Sequence, residues 1–174
     1  MKLTEIARET IEAALKDKEF ELDEDTKKDF HRKGASFVTL TEDGDLRGCI
    51  GSLIARHELW KDVQENALNA AFRDPRFLPL RPGEFGDIKI EVSILSEPKK
   101  LEVKDENDLL SKINNKMGLI LHKDGKQATY LPQVWEQIKD KIEFLESLAV
   151  KASLHKDDWK KADFEYYFVE KEEE

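Results

Sequence analysis

The sequence predicts an α+β fold with antiparallel or mixed β-sheets and packed helices. Two aspartate-glycine pairs, Asp43-Gly44 and Asp124-Gly125, each lie between two runs of β-forming residues. Such pairs suit tight turns that need positive φ, so each predicts an antiparallel hairpin. Helical patterns are mixed with the strands without strict β-α-β alternation, which favours α+β over a doubly wound parallel sheet.

Two helices are predicted in the first half of the chain. Apolar residues recur at helical spacing over residues 3–15, and a charged stretch with a short helical turn follows to Lys28. Residues 58–72 carry an apolar stripe and predict a helix packed on a sheet. This helix ends before Asp74-Pro75, because proline disfavours helical geometry in the residue that precedes it.

Strands are predicted at residues 35–41 and 46–53, which form the first hairpin, and at residues 88–95. The last of these is the clearest strand, since apolar and polar residues alternate there with a period of two.

The second half of the chain is also predicted to contain both helices and strands. Asp105 is expected to cap a helix, residues 118–131 to form the second hairpin, and Pro132 to open another helix. A stripe in that helix is expected to face the core: Ile138, Ile142, Leu145 and Ala149. Residues 164–169 predict a last strand, and residues 170–174 predict a frayed acidic tail.

Length and composition describe one globular domain with a heavily charged surface. The chain has 174 residues, of which 39% are hydrophobic and 39% charged. Its net charge of -9 disfavours binding to nucleic acid, because that affinity comes largely from lysine and arginine. One cysteine allows no intrachain disulfide, and neither a signal peptide nor a membrane-spanning apolar run is present, so we expect a cytoplasmic protein.

The strongest functional candidate is the segment from Leu46 to Gly51, which contains the one cysteine. In a regular strand Arg47 and Cys49 would share a face, and the guanidinium would lower the pKa of the thiol. Gly48 and Gly51 would let a ligand or another backbone approach closely. This pattern is typical of a thiolate nucleophile or an anion-binding wall. The alternative is an inert core cysteine between glycines that mark bulges.

A second candidate lies where the helix of residues 58–72 ends and a rigid loop begins. Arg73 and Arg76 would clamp a carboxylate or phosphate there. In the alternative, the motif is a structural turn in which Asp74 bonds to the backbone or pairs with an arginine.

Acid-base chemistry has one further candidate. Glu91 and Ser93 share the polar face of their strand, where a carboxylate beside a hydroxyl would move protons unless that face is only solvated or packed against a second lobe. The four histidines are scattered, so no metal site is expected, and no phosphate-cradling glycine loop occurs.

Four segments together resemble the AMMECR-domain family, also called AmmeMemoRadiSam system protein A. They are, in chain order, residues 46–52 (LRGCIGS), 74–77 (DPRF), 91–95 (EVSIL) and 130–135 (YLPQVW). Ser52 completes the first motif and Asp74 opens the second, and both join the candidate ligand-binding residues. The resemblance spans roughly residues 5–168, and Ser153 is a departure where relatives often have glycine.

The resemblance implies one domain with a larger and a smaller subdomain, the segment around Cys49 lying in the larger one. The resemblance does not imply a particular biochemical activity. The name of the family's system implies a shared pathway or complex with a radical SAM protein or a Memo-like protein. The residues of this chain offer no ligands for iron, a cluster or S-adenosylmethionine, so no cofactor is expected.

Two hypotheses carry nearly equal weight. The first is an enzyme acting on a small anionic substrate, with Cys49 as nucleophile or acid-base group. Arg47 would tune the thiolate and hold the anion, Arg73 or Arg76 would position the substrate, and Glu91 would relay a proton. The second is a non-enzymatic binding or partner protein, in which the same segment packs two lobes and shapes a docking groove. A nucleic acid adaptor ranks lower because of the charge.

Overall fold

A computed structural model describes residues 1–174 and confirms the predicted α+β class. The chain divides into two compact units, one of Met1–Leu95 with Glu170–Glu174 and one of Ser96–Val169. The elements are α1 (Leu3–Leu15), α2 (Glu24–Asp29), β1 (Ala35–Glu42), β2 (Asp45–Gly51), α3 (Leu59–Phe72), β3 (Ile88–Leu95), β4 (Lys99–Lys100), α4 (Glu106–Lys112), β5 (Gly118–Lys123), β6 (Lys126–Tyr130), α5 (Lys141–Lys151), β7 (Asp163–Tyr167) and β8 (Val169–Glu173). None of the helices combines the length and the apolar character that crossing a membrane requires.

The first unit is a four-stranded sheet with α1 and α3 packed on one face. Its strands lie in the order β2-β1-β3-β8, and β1 pairs antiparallel with both β2 and β3. The first hairpin is confirmed, since Asp43 and Gly44 have positive φ angles of 52° and 87°, as a type I′ turn requires. The apolar residues of β1 and β3 form one core with the buried faces of the two helices, as their period of two predicts.

Strand β2 contains a β-bulge at Arg47. Leu40 pairs with Gly48 while Thr41 pairs with Leu46, so Arg47 has no partner residue of its own. A bulge interrupts the alternation of side chains between the two faces of a sheet. The regular period that the sequence predicts for Arg47 and Cys49 is therefore absent.

The second unit is a four-stranded sheet in the order β4-β7-β5-β6 that shares a core with α4 and α5. The second hairpin is confirmed by its register, in which Leu121 pairs with Ala128. The cap of α4 is confirmed as well, because the Asp105 side chain accepts a hydrogen bond from the N–H of Asp108 at 2.8 Å.

The helix predicted to run on from Pro132 is divided in two. Pro132–Glu136 is a short 3-10 helix, and α5 begins only after Asp140, whose side chain caps it. Within α5, Leu145 is buried as predicted, whereas Ile142 is 45% exposed and does not belong to the core. Ser153 follows α5 with a φ of 60°, the left-handed conformation that glycine adopts at helix C-termini without a Cβ penalty.

The acidic end of the chain is part of the first sheet, which corrects the prediction of a frayed tail at residues 170–174. Strand β8 lies beside β3 at the edge of the sheet. Lys171 Nζ lies 3.0 Å from Glu91 Oε2, and the Glu174 side chain pairs with Arg8 of α1. Strand pairing and these two ion pairs order residues 170–174, although their composition alone predicts a disordered, solvent-exposed end.

Candidate functional site around strand β2

Cys49 lies in β2, the strand at one edge of the first sheet. It is directly opposite Thr39 of β1, and Thr39 Oγ1 lies 3.3 Å from Cys49 Sγ. Burial raises the pKa of the thiol, although the Thr39 hydrogen bond and the charge of Arg76 oppose that effect. The pKa of Cys49 is therefore shifted in the direction opposite to the predicted activation.

The carboxylate of Asp74 fastens the loop after α3 to the outer edge of β2. Its side chain is 1% exposed and accepts hydrogen bonds from Cys49 N at 2.9 Å, Arg76 N at 3.0 Å, and Arg76 Nε and Nη2 at 3.0 and 2.7 Å. Arg76 also donates to the carbonyl oxygen of Cys49 at 3.2 Å. Arg76, with the two backbone N–H donors, holds the pKa of Asp74 well below its usual range. The structural-turn alternative for this motif therefore describes Asp74 correctly.

Arg47 pairs with Glu84 and not with Cys49. Its Nε and Nη2 atoms lie 3.0 and 3.3 Å from the two carboxylate oxygens, so the contact is bidentate. Arg47, together with the backbone N–H of Arg81, holds the pKa of Glu84 below its usual value. The remaining Arg47 nitrogen, Nη1, is buried without a hydrogen-bond partner. A buried polar group in that state costs about 1–3 kcal/mol, so an acceptor placed there would be stabilising.

Three arginine side chains meet beside the loop that follows α3 and form what we call the arginine pocket. It is a cavity of about 320 Å³ lined by Arg47, Arg76, Phe77, Leu78, Arg81 and Glu84. The Phe77 ring centre lies 6.0 Å from the guanidinium carbon of Arg47 and 5.5 Å from that of Arg76, within the range of a cation–π contact. Arg47 is paired with Glu84, and Arg76 is paired with Asp74. The local basic character of the pocket therefore comes from Arg81, which lines it without forming an ion pair.

Gly48 and Gly51 are required by packing. A Cβ atom on Gly48 would lie 2.2 Å from the backbone oxygen of Ala70 in α3, and one on Gly51 would lie 2.2 Å from the Phe37 ring. Neither distance is sterically allowed, so a side chain at either position would displace its neighbour. The sequence predicts that these glycines admit either a ligand or another backbone. Gly48 admits another backbone, that of α3.

Thr39 separates Glu91 from Cys49. It is the partner of Cys49 in β2 and of Glu91 in β3, so the three residues form a row across the sheet. Two strand spacings leave about 10 Å between the outer backbones. Glu91 pairs with Lys171 at 3.0 Å and accepts a hydrogen bond from Ser93 at 3.2 Å. Glu91 therefore makes no direct hydrogen bond to the Cys49 thiol, which the predicted proton relay would need.

A second cavity lies where β2 ends, and sequence reasoning did not anticipate it. Asp62 and Asn66, one turn apart on α3, are only 2% and 4% exposed. Asp62 Oδ2 accepts hydrogen bonds from the N–H and hydroxyl of Ser36 at 2.8 and 2.7 Å and from Asn66 Nδ2 at 2.9 Å. Asn66 also donates to Ser52 Oγ at 3.2 Å. We call the adjoining space of about 340 Å³ the Asp62 cavity; its lining is Gly51, Ser52, Leu53, Ile54, Arg56, His57, Asp62 and Glu65.

The structure brings together only part of the predicted site. Arg47 and Arg76 line one cavity, while Gly51 and Ser52 line the other. Arg73 lines neither, because it is exposed at the end of α3, where its Nη1 atom lies 3.3 Å from Asn69 Oδ1. The expected clamp of Arg73 with Arg76 therefore does not form.

Two pairs of residues that line or support the cavities are not predicted as site residues from the sequence. Arg81 and Glu84 are charged side chains in a loop rich in proline, a setting that favours binding over packing. Asp62 and Asn66 stand four residues apart beside an apolar helical stripe, a spacing that indicates a buried polar network. No three histidine, cysteine, aspartate or glutamate side chains are grouped closely enough to hold a metal ion.

Comparison with known proteins relates this geometry to a family. The AMMECR1 family model matches residues 4–173. A Nanoarchaeum equitans protein is 38% identical over 173 residues, which are 98% of this chain and 96% of its own. An Aquifex aeolicus protein is 36% identical over 169 residues, which are 95% and 86% of the two chains. The crystal structure of an uncharacterized protein from Pyrococcus horikoshii has a TM-score of 0.90 and 32% identity, and the match covers 99% of this chain and 89% of that one.

Proposed function

We propose that this chain, which belongs to the AMMECR1 family, is a binding protein whose arginine pocket holds a small anion with a carboxylate or phosphate group. One observation carries the proposal. Arg47, Arg76 and Arg81 converge on a cavity in which Glu84 is the only negatively charged lining residue.

The state of each guanidinium supports an anion as the ligand. Arg47 has used two nitrogens on Glu84, and its buried Nη1 has no acceptor. Arg76 is 53% exposed on its side chain even though Asp74 orients it. Planar guanidinium groups bind carboxylate and phosphate through paired hydrogen bonds, and the exposed Arg76 and Arg81 can do so in the pocket. The buried Nη1 of Arg47 gains an acceptor only when its surroundings shift on binding.

Catalysis by Cys49 is the second candidate. Thr39 and Arg76 both favour the thiolate, and Arg76 also lines the arginine pocket, although Cys49 itself does not. Burial outweighs both effects and keeps the proton on sulfur. For this reason binding is the function that the geometry supports better.

Titration of isotope-labelled protein with sodium malonate or sodium phosphate, followed by NMR, tests the proposal. The side-chain N–H signals of Arg47 and Arg76 are expected to shift saturably. Arg81→Gln is expected to weaken malonate binding about three- to tenfold, because a charge-assisted hydrogen bond contributes about 1.5–3 kcal/mol and exposure reduces it. The Arg81 side chain makes no hydrogen bond or ion pair within the fold, since its contacts with Glu84 are made by its backbone N–H and carbonyl oxygen. The change would remove only a longer-range charge interaction with Glu84.

Arg73→Gln is the matched control, because it removes the same charge from an exposed arginine outside the pocket. It should leave malonate binding unchanged. Equal losses of malonate affinity in both variants would mean that binding responds only to the net charge of the protein, and the proposal would fail. An absence of saturable shifts at Arg47 and Arg76 would reject it directly.

A further inference from the structure

A second ligand site lies at the other end of β2, and we infer that the Asp62 cavity binds a small molecule through an ammonium group. The inference does not depend on anion binding, since the two cavities share no lining residue. Asp62 supplies the main acceptor, and Glu65 and Ser52 supply further acceptors in the cavity wall.

The hydrogen bonds of Asp62 leave one oxygen for a ligand. All three donors, two on Ser36 and one on Asn66, bind Oδ2, and Oδ1 accepts no hydrogen bond. Asp62 is 2% exposed as a whole, yet Oδ1 is not one of the atoms buried without a partner, so this oxygen is still in contact with solvent. A carboxylate with so little access to water gains from each additional donor. Because Asp62 lines the cavity, a donor held there reaches the remaining oxygen.

The charges around the cavity select a cation. Asp62 and Glu65 are both acidic and lie about one turn apart on α3, and only Arg56 opposes them in the lining. His57 Nε2 is 3.8 Å from Glu65 Oε2, too far for a hydrogen bond, so Glu65 keeps its acceptors. No side chains here are grouped as a metal ion requires, whereas an ammonium group is a donor to two or three separate acceptors.

Two kinds of molecule carry this chemistry. A simple amine would use the carboxylates alone. An amino acid would in addition place its own carboxylate on Arg56, which is exposed and lines the same cavity. The cavity of about 340 Å³ has room for either.

The experiment is an NMR titration of the labelled protein with n-propylammonium chloride, n-propanol and β-alanine. The Asn66 side-chain amide is the reporter, because it donates to both Asp62 and Ser52. Propylammonium is expected to shift its signals saturably, and propanol, which has the same chain without the charge, is expected to leave them in place. Tighter binding of β-alanine than of propylammonium would identify the amino acid as the source, and weaker binding would identify the amine.

Asp62→Asn is the decisive variant. The amide keeps an oxygen for Ser36 and Asn66 but puts an NH₂ donor where the free carboxylate oxygen stands. Propylammonium binding is expected to weaken about tenfold or more, as loss of a hydrogen bond to a charged group implies. Circular dichroism verifies that the variant is folded, and unchanged affinity in the folded variant would overturn the inference.

Glu65→Gln tests the same site without touching the buried network, since the Glu65 side chain is 49% exposed. It is expected to weaken propylammonium binding about threefold. Glu9→Gln, which removes the same charge from an exposed position on α1, should have no effect. Equal effects of these two changes, or a wild-type protein whose Asn66 signals respond to propanol as to propylammonium, would also overturn the inference.

Discussion

The two ends of β2 carry cavities of opposite charge. The arginine pocket has three guanidinium groups and one carboxylate, whereas the Asp62 cavity has two carboxylates and one guanidinium. Most of the arginine pocket comes from a loop, and Arg76 is half exposed. Asp62 comes from a helix and is held by three hydrogen bonds. Residues 52–57 of the Asp62 cavity also belong to a loop, but its two carboxylates come from α3. Groups on rigid elements are positioned more accurately than groups on loops, so we expect these carboxylates to be placed more accurately than Arg76 and Arg81.

The largest effect is expected from Asp74→Ala, which removes the support of the arginine pocket alone. The change leaves the Cys49 N–H without its acceptor and frees Arg76. We expect the free energy of unfolding in urea to fall by about 2–3 kcal/mol, less than for a fully buried ion pair because Arg76 is half exposed. Malonate binding should weaken because Arg76 is no longer held in place, while the Asn66 response to propylammonium is kept.

Asp87→Ala is the control for this change, because Asp87 is an exposed aspartate of the same loop. It should alter the unfolding free energy by less than about 0.5 kcal/mol. If Asp74→Ala abolished the responses of both cavities in a folded protein, the two ends of β2 would not be separate sites.

The next largest loss of stability is expected from Gly48→Ala, a change that affects both ends of β2. The new methyl group would meet the Ala70 carbonyl oxygen, so α3 and β2 must move apart. Overpacking of this kind costs about 1–3 kcal/mol, measured as loss of unfolding free energy in urea. Gly86→Ala should be neutral, since a Cβ there meets nothing within 4 Å.

The smallest effect concerns Cys49, between the two cavities. Since burial raises the pKa of its thiol, only a minor fraction is thiolate at neutral pH. Alkylation by iodoacetamide should therefore be slower than in the urea-unfolded chain and should still be rising above pH 9.0, the ordinary thiol value. A rate that levels off below that pH would restore the nucleophile hypothesis.

The fold was more accessible to sequence reasoning than the site, because its signals are local. A turn such as Asp43-Gly44, the period of two in β3 and the cap at Asp105 each depend on a few neighbouring residues. The end of the chain shows the limit of such reasoning. Residues 170–174 look like solvent-exposed tail, and only the pairing of β8 with β3 makes them a strand.

The site depends on contacts that no local pattern contains. The segment around Cys49 was found, but its partners are distant in sequence: Arg47 meets Glu84, and the Cys49 backbone meets Asp74. Both contacts follow from the path by which the loop after α3 returns to β2. The bulge at Arg47 was equally hidden, since it is defined by the register with β1.

The contacts of Asp74 and Arg76 with Cys49 also bear on how chains of this kind associate. A strand at the edge of a sheet offers unpaired N–H and C=O groups, which are a template for the strand of another molecule. In β2 the N–H and the C=O of Cys49 are already occupied by Asp74 and Arg76. The loop after α3 thereby occupies one outward-facing pair of backbone groups in this edge strand and hinders the addition of another strand there.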